Sequence, residues 1–181
     1  MINLSFTFIL CFVTLFSFSQ NLDSARFYYQ AGVEKSNEKL FAVASKNFEK
    51  AISFDPNYTE AYIANGKIEL QMSKIWQATE NFTKAYQLDP KNSEVINALS
   101  SLYFNNRQFQ KAIDLAQQCN NCDNSNRILG MSNYNLEDYA KAEKYLNQAI
   151  TKNDKDAEVY YTLGLTELEL ENEKSAIIQY L

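Results

Sequence analysis

Cys119 and Cys122 form a Cys-Asn-Asn-Cys pair, a spacing able to cycle between thiols and disulfide or to supply half of a zinc site. The redox use wants the pair at a strand-to-helix junction, and no alternating strand pattern flanks it. Zinc needs two more ligands, and the chain has no His and only one further cysteine, Cys11. Two readings stay open: a local disulfide in an oxidising compartment, or Cys119 filling a small-residue position with Cys122 exposed. Lack of His also removes Ser-His and Cys-His nucleophile pairs and the side chain best suited to proton transfer near neutral pH. Carboxylates remain, but Glu167, Glu169, Glu171 and Glu173 spread around a helix and read as solvated surface. The four glycines all belong to a repeat pattern, so none is left for a phosphate-cradling loop. No catalytic residue, cofactor or metal is expected. With 17 Lys+Arg against 22 Asp+Glu, the net charge of −5 argues against a nucleic-acid partner.

The elements that carry these residues are helical. Apolar residues make up 46% of the 181 residues, with only 4 Gly and 2 Pro, too few turn-formers for a sandwich or barrel. Gly32 and Gly66 lie 34 residues apart, as do Gly130 and Gly164 and as do Pro56 and Pro90. Ala44, Ala78, Ala112, Ala142 and Ala176 step by 34, 34, 30 and 34, and Ala51, Ala85, Cys119 and Ala149 by 34, 34 and 30. Two small-residue series sharing one four-residue deletion mark a repeat. Each unit has helical periodicity in two segments. Ala61, Tyr62, Ile63 and Gly66 fall on the first helix of repeat two; Ile75, Ala78, Phe82, Ala85 and Leu88 fall on the second. A glycine inside a helix costs about 1 kcal/mol against Ala, so its recurrence predicts close approach of two helix backbones. The Asp-Pro pairs end second helices. Trp76 is expected to pack at the helix junction of repeat two.

These residues resemble the tetratricopeptide-repeat family. The match rests on Tyr28, Gly32, Ala44, Phe48, Ala51 and Pro56 in repeat one, and on Tyr62, Gly66, Ala78, Phe82, Ala85 and Pro90 in repeat two. Repeat three is weaker, with Leu99, Tyr103 and Ala112 but Ser100 and Ala116 where Gly and an aromatic are usual. Leu129, Gly130, Ala142, Leu146 and Ala149 carry repeat four; Tyr160, Leu163, Gly164, Ala176 and Tyr180 carry repeat five. The resemblance covers 25–181, in repeats 25–58, 59–92, 93–122, 123–156 and 157–181, the last incomplete. It implies an all-α, right-handed α-solenoid of about ten helices and a non-catalytic scaffold that binds a protein or peptide. First helices then line a concave groove. Its residues are Tyr29, Val33 and Asn37; Ile63, Lys67 and Gln71; Asn97, Ser101 and Asn105; Arg127, Met131 and Asn135; and Tyr161, Leu165 and Glu169. This wall is apolar, aromatic and amide, suited to an extended or helical peptide. The Lys and Asn with which one subgroup clamps chaperone C-termini are replaced by Tyr29 and Val33, so that partner is not expected.

The two ends carry expectations of their own. Met1–Gln20 is uncharged, with an apolar stretch from Leu4 to Phe18 that is short for a membrane span and a small-x-small site at Ser17-Phe18-Ser19. It reads as an export signal over 1–19, placing the protein in the periplasm, at the envelope or outside the cell. At the other end the pattern stops within a second helix on the apolar run Ala176–Leu181. That predicts a chain that continues, as the sensor or docking part of a longer protein, or an end that self-associates.

Overall fold

The computed structural model describes residues 4–119, 122, 124–153 and 155–180, and places the side chains of 21–119, 122, 124–153, 155–172 and 174. Nine α-helices and no strand occur among the described residues, and the fold class is all-α. The chain divides into two compact units at Asp89. The first holds α1 (Leu4–Asn37), α2 (Phe41–Phe54), α3 (Thr59–Gln71) and α4 (Ile75–Leu88); the second holds α5 (Ser93–Asn105), α6 (Phe109–Ala116), α7 (Ser125–Asn135), α8 (Tyr139–Lys152) and α9 (Ala157–Tyr180). Within each unit every helix packs on the next. First helices also meet one another: α1 touches α3, and α7 touches both α5 and α9. Each first-helix layer is therefore continuous within its unit.

The turn inside each hairpin is built without glycine. Lys39, Ser73, Arg107 and Glu137 take φ values of 61°, 58°, 56° and 64°, at spacings of 34, 34 and 30 residues. A left-handed residue with a Cβ costs roughly 1–2 kcal/mol. What offsets it is a pair of hydrogen bonds that closes the helix end. In repeat two Lys74 N donates to Glu69 O at 2.8 Å and Ser73 N to Leu70 O at 3.0 Å; Gln108 and Arg107 repeat the pair on Tyr103 O and Phe104 O. An apolar side chain then opens the second helix and packs back, as Phe109 does on Phe104 (5.8 Å between ring centroids) and Tyr139 on Tyr134 (5.9 Å). Between hairpins, Asp55, Asp89 and Asn153 are extended and donate their N–H to Ala51, Ala85 and Ala149. Asp55 Oδ1 accepts from Asn57 N, and Asn153 Oδ1 from Lys155 N. Repeat four thus makes the same stop without proline.

Three of the four recurrent glycines, Gly32, Gly66 and Gly130, face side chains more closely than a neighbouring backbone. A Cβ added at Gly32 would lie 2.6 Å from Phe48 Cε1, at Gly66 2.9 Å from Phe82 Cε2, and at Gly130 2.7 Å from Leu146 Cγ. Gly130 alone of these also comes close to backbone, with Leu146 N at 3.0 Å. The missing methyl makes the socket for a large second-helix side chain, and Phe48, Phe82 and Leu146 are almost wholly buried in it. In repeat three the corresponding pair is Ser100 and Ala116, both buried: a larger residue on one helix faces a smaller one on the other. Its departure from the family pattern is a compensated exchange of volume.

The fifth repeat differs from the sequence expectation. The repeat pattern places Ala176–Leu181 in a second helix, yet α9 runs unbroken through Ala176 and Tyr180, past Glu171 at the position matching Lys39, Ser73, Arg107 and Glu137. Two residues past the turn stand Phe41, Ile75, Phe109 and Tyr139 in repeats one to four, and Glu173 in repeat five. With no apolar residue there to fold back, and Glu, Leu and Lys favouring helix throughout, the chain has no reason to turn. The predicted ten helices become nine among the described residues for this reason.

Candidate functional site

The first-helix layers carry the residues expected to meet a partner, and the structure sorts them. In the first unit Val33 (38% exposed), Asn37, Lys67 and Gln71 lie at the surface. Tyr29 is half-buried, its ring 5.7 Å from Phe48 and 5.0 Å from Tyr58, so it supports the wall more than it lines it. Ile63 is 8% exposed and belongs to the interior. In the second unit Asn105, Asn135 and Tyr161 (69%) are exposed, while Asn97, Ser101, Leu165 and Glu169 are half-buried. Met131 is withdrawn from any partner: it joins the core of Ala142, Leu146, Val159 and Leu163. Arg127 is likewise committed. Its Nε donates to Asp156 Oδ2 at 3.0 Å and its Nη2 to Glu158. Asp156 Oδ1 in turn accepts from Val159 N, so Arg127 holds the carboxylate that caps α9. Spacing places these residues on the right helices, but sequence alone cannot say which side of the helix the neighbouring repeat covers.

Trp76 does not pack at the helix junction. It is 80% exposed on α4, beside Ile75 at 52%. Cys119 and Cys122 are joined by a disulfide with a Cα–Cα distance of 5.5 Å, and both are buried. Ser125 Oγ donates to Cys119 O at 2.8 Å, so the linker between α6 and α7 is tied to the start of α7. Among the described residues no group of three or more His, Cys, Asp or Glu could hold a metal.

A polar pocket in the first unit was missed in the sequence. Glu69, on α3, is 4% exposed, and its Oε2 accepts from Asn81 Nδ2 of α4 at 2.7 Å. Burial pushes its carboxyl above the ordinary value; the Asn81 hydrogen bond opposes this, Glu49 and Glu80 add to it, and Lys74 works against it. Asn65, one turn earlier, is 2% exposed, and its Oδ1 has no hydrogen-bond partner. Both line a cavity of about 400 Å³ between α2, α3 and α4, together with Glu49, Glu80, Asn81 and Lys84. A signal for it does exist. The place of Asn65 is taken by Ala31, Leu99, Leu129 and Leu163 in the other repeats, so an amide there breaks the apolar register.

The profile of the tetratricopeptide repeat matches residues 25–58 and 128–155. These two segments are tetratricopeptide repeats. Among solved structures it is similar to MamA, with a TM-score of 0.75 at 22% identity over 87% of this chain and 88% of that one. It is also similar to YrrB, described as a tetratricopeptide-repeat protein with an unusual peptide-binding site, with a TM-score of 0.72 at 19% identity over 80% and 77%. Both likenesses concern the fold, and both place the repeats with α-solenoid structures. Among curated sequences, protein O-mannosyl-transferase TMTC3 of Homo sapiens is 24% identical over 156 residues, 82% of this chain. The chain spans 17% of that relative's length.

Proposed function

We propose that the chain is an exported, non-catalytic scaffold whose first-helix layers hold an extended peptide or protein segment. The observation that carries this is the surface left on those layers: Val33, Asn37, Lys67 and Gln71 in one unit, Asn105, Asn135 and Tyr161 in the other. Amides can satisfy the backbone groups of an extended segment, and an exposed tyrosine offers a flat amphipathic contact at low entropy cost. YrrB, similar in fold, carries a peptide-binding site, which supports the same use here. Binding rather than catalysis is supported by the absence of His throughout the sequence. Export is supported by the uncharged apolar segment 4–18 with its small-x-small site. Among the described residues no helix is long and apolar enough to cross a membrane.

Site-specific photo-crosslinking in the native host tests the binding face. A crosslinker at Lys67 or Tyr161 should trap a protein that one at Lys46, exposed on α2, does not. Equal trapping at all three positions would show that the first-helix layers are not the binding surface. For export, the intact mass of the cell-envelope or extracellular fraction should begin at Gln20; protein found only in the cytoplasm with Met1 retained would sink that part.

A further inference from the structure

The pocket around Glu69 lies apart from the exposed residues of the α1 and α3 layer. Helix α3 supplies Asn65 and Glu69, while α2 supplies Glu49 and α4 supplies Glu80 and Asn81. Three observations set it apart from ordinary packing. Asn65 is 2% exposed and lines the cavity, yet its Oδ1 meets no donor. Repeats three, four and five place Leu99, Leu129 and Leu163 at that register, so an apolar residue would serve the fold better there. Glu69 is 4% exposed and receives one side-chain donor, from Asn81, whereas a carboxylate has room for about four. Glu49 and Glu80 add two more carboxylates to the lining. Lys84 also lines the cavity, but its Nζ donates to Gln87 Oε1 at 3.4 Å along its own helix.

We propose that this pocket binds the guanidinium of an arginine side chain presented by a protein partner. The acceptors present are carboxylates and an amide oxygen, so the ligand must be a cation rich in donors. A bare metal ion fits poorly, because no group of three carboxylate, His or Cys side chains converges among the described residues. An ammonium is a compact point charge with three donors. A guanidinium carries five in a planar fork, which can meet Glu69 and the Asn65 oxygen together while its charge faces Glu49 and Glu80. Cavity volume, about 400 Å³, admits the side chain with its apolar stem. In the complex the Asn65 oxygen gains the donor that it lacks in the free chain.

The test is a titration of the full 181-residue chain, followed by the side-chain amide resonances of Asn65 and Asn81. Probes are N-acetyl-arginine N-methylamide and the matching lysine and citrulline compounds, with spermidine as a free polyamine. The arginine compound should move both resonances in a saturable way, with an apparent affinity at least about tenfold above the other three. Glu69→Gln should abolish the response. Asn65→Leu should raise the melting temperature and abolish the Asn81 response, which separates lost binding from lost folding. Four results would overturn the proposal. They are no saturable shift with arginine, an equal response to citrulline, an equal response to lysine or spermidine, and unchanged binding in Asn65→Leu.

Discussion

Gly66 and Gly164 occupy the same place in the repeat, yet an added Cβ would press on Phe82 at 2.9 Å in one case and meet nothing within 4 Å in the other. The first lies in a closed hairpin, α3 on α4, where the glycine is the floor of a socket. The second lies on α9, where no second helix folds back among the described residues. A repeat pattern therefore specifies a socket only where the returning helix is also specified. That return depends on one apolar residue two positions past a left-handed turn.

The largest effect is expected at the side chain that fills the socket. Phe82→Ala should destabilise by about 3–5 kcal/mol, since it empties a fully closed site. Urea unfolding followed by circular dichroism gives the value, and a loss below 1 kcal/mol would mean the socket is loose. Gly66→Leu should cost about 1–3 kcal/mol or more through overpacking, while Gly164→Leu should melt no lower than the parent. If both glycines respond alike, the asymmetry between the closed hairpin and α9 is wrong. Repeat three sharpens the point. Ala116→Phe should destabilise, and adding Ser100→Gly should restore most of the loss, because the two positions share one volume; strict additivity in that double-mutant cycle would deny the exchange.

Smaller effects run in the opposite direction. Gly164→Ala should stabilise by about 0.5–1 kcal/mol, because the helical glycine there costs backbone entropy with no packing in return. A neutral or negative outcome would place a neighbour against α9. The last effect concerns Glu69, whose carboxyl is raised above its ordinary value by burial. A raised acid holds its proton more tightly in the folded chain, so its contribution favours folding at low pH and is lost as pH rises through the folded value. Glu69→Gln should abolish that decline. Melting temperatures of parent and variant should therefore diverge from about pH 4.5 upward, the variant becoming relatively more stable; parallel curves would show that Glu69 is not desolvated.

Much of this was legible along the chain. Gly32, Gly66 and Gly130 mark the repeat and a close contact, but spacing pointed to a neighbouring helix backbone, whereas Phe48, Phe82 and Leu146 side chains fill the place of the missing methyl. Asp55 and Asp89 mark the ends of second helices because an Asx side chain and Pro act within two residues. Asn153 shows how the same end escapes notice when proline is absent. The four hairpin turns were invisible: Lys39, Ser73, Arg107 and Glu137 share a backbone conformation but no side-chain chemistry, and glycine, the usual signal, stands at none of them.

The period and the helical class follow from spacing and residue size along the chain, whereas the pairing of Gly with Phe or Leu sixteen residues on emerged in the packed hairpins. The sequence also set the departures, Ser100 with Ala116 and Asn65 among leucines, as breaks in a pattern. Which side of each helix is covered follows from tertiary packing alone. Met131 and Ile63 share a register with exposed neighbours and are buried, whereas Trp76 is apolar and exposed. Burial depends on the angle at which the next helix crosses, and that angle comes from the summed packing of several elements. For the same reason Glu69, Asn81 and Asn65, distributed over two helices, became one pocket only when α2, α3 and α4 came together.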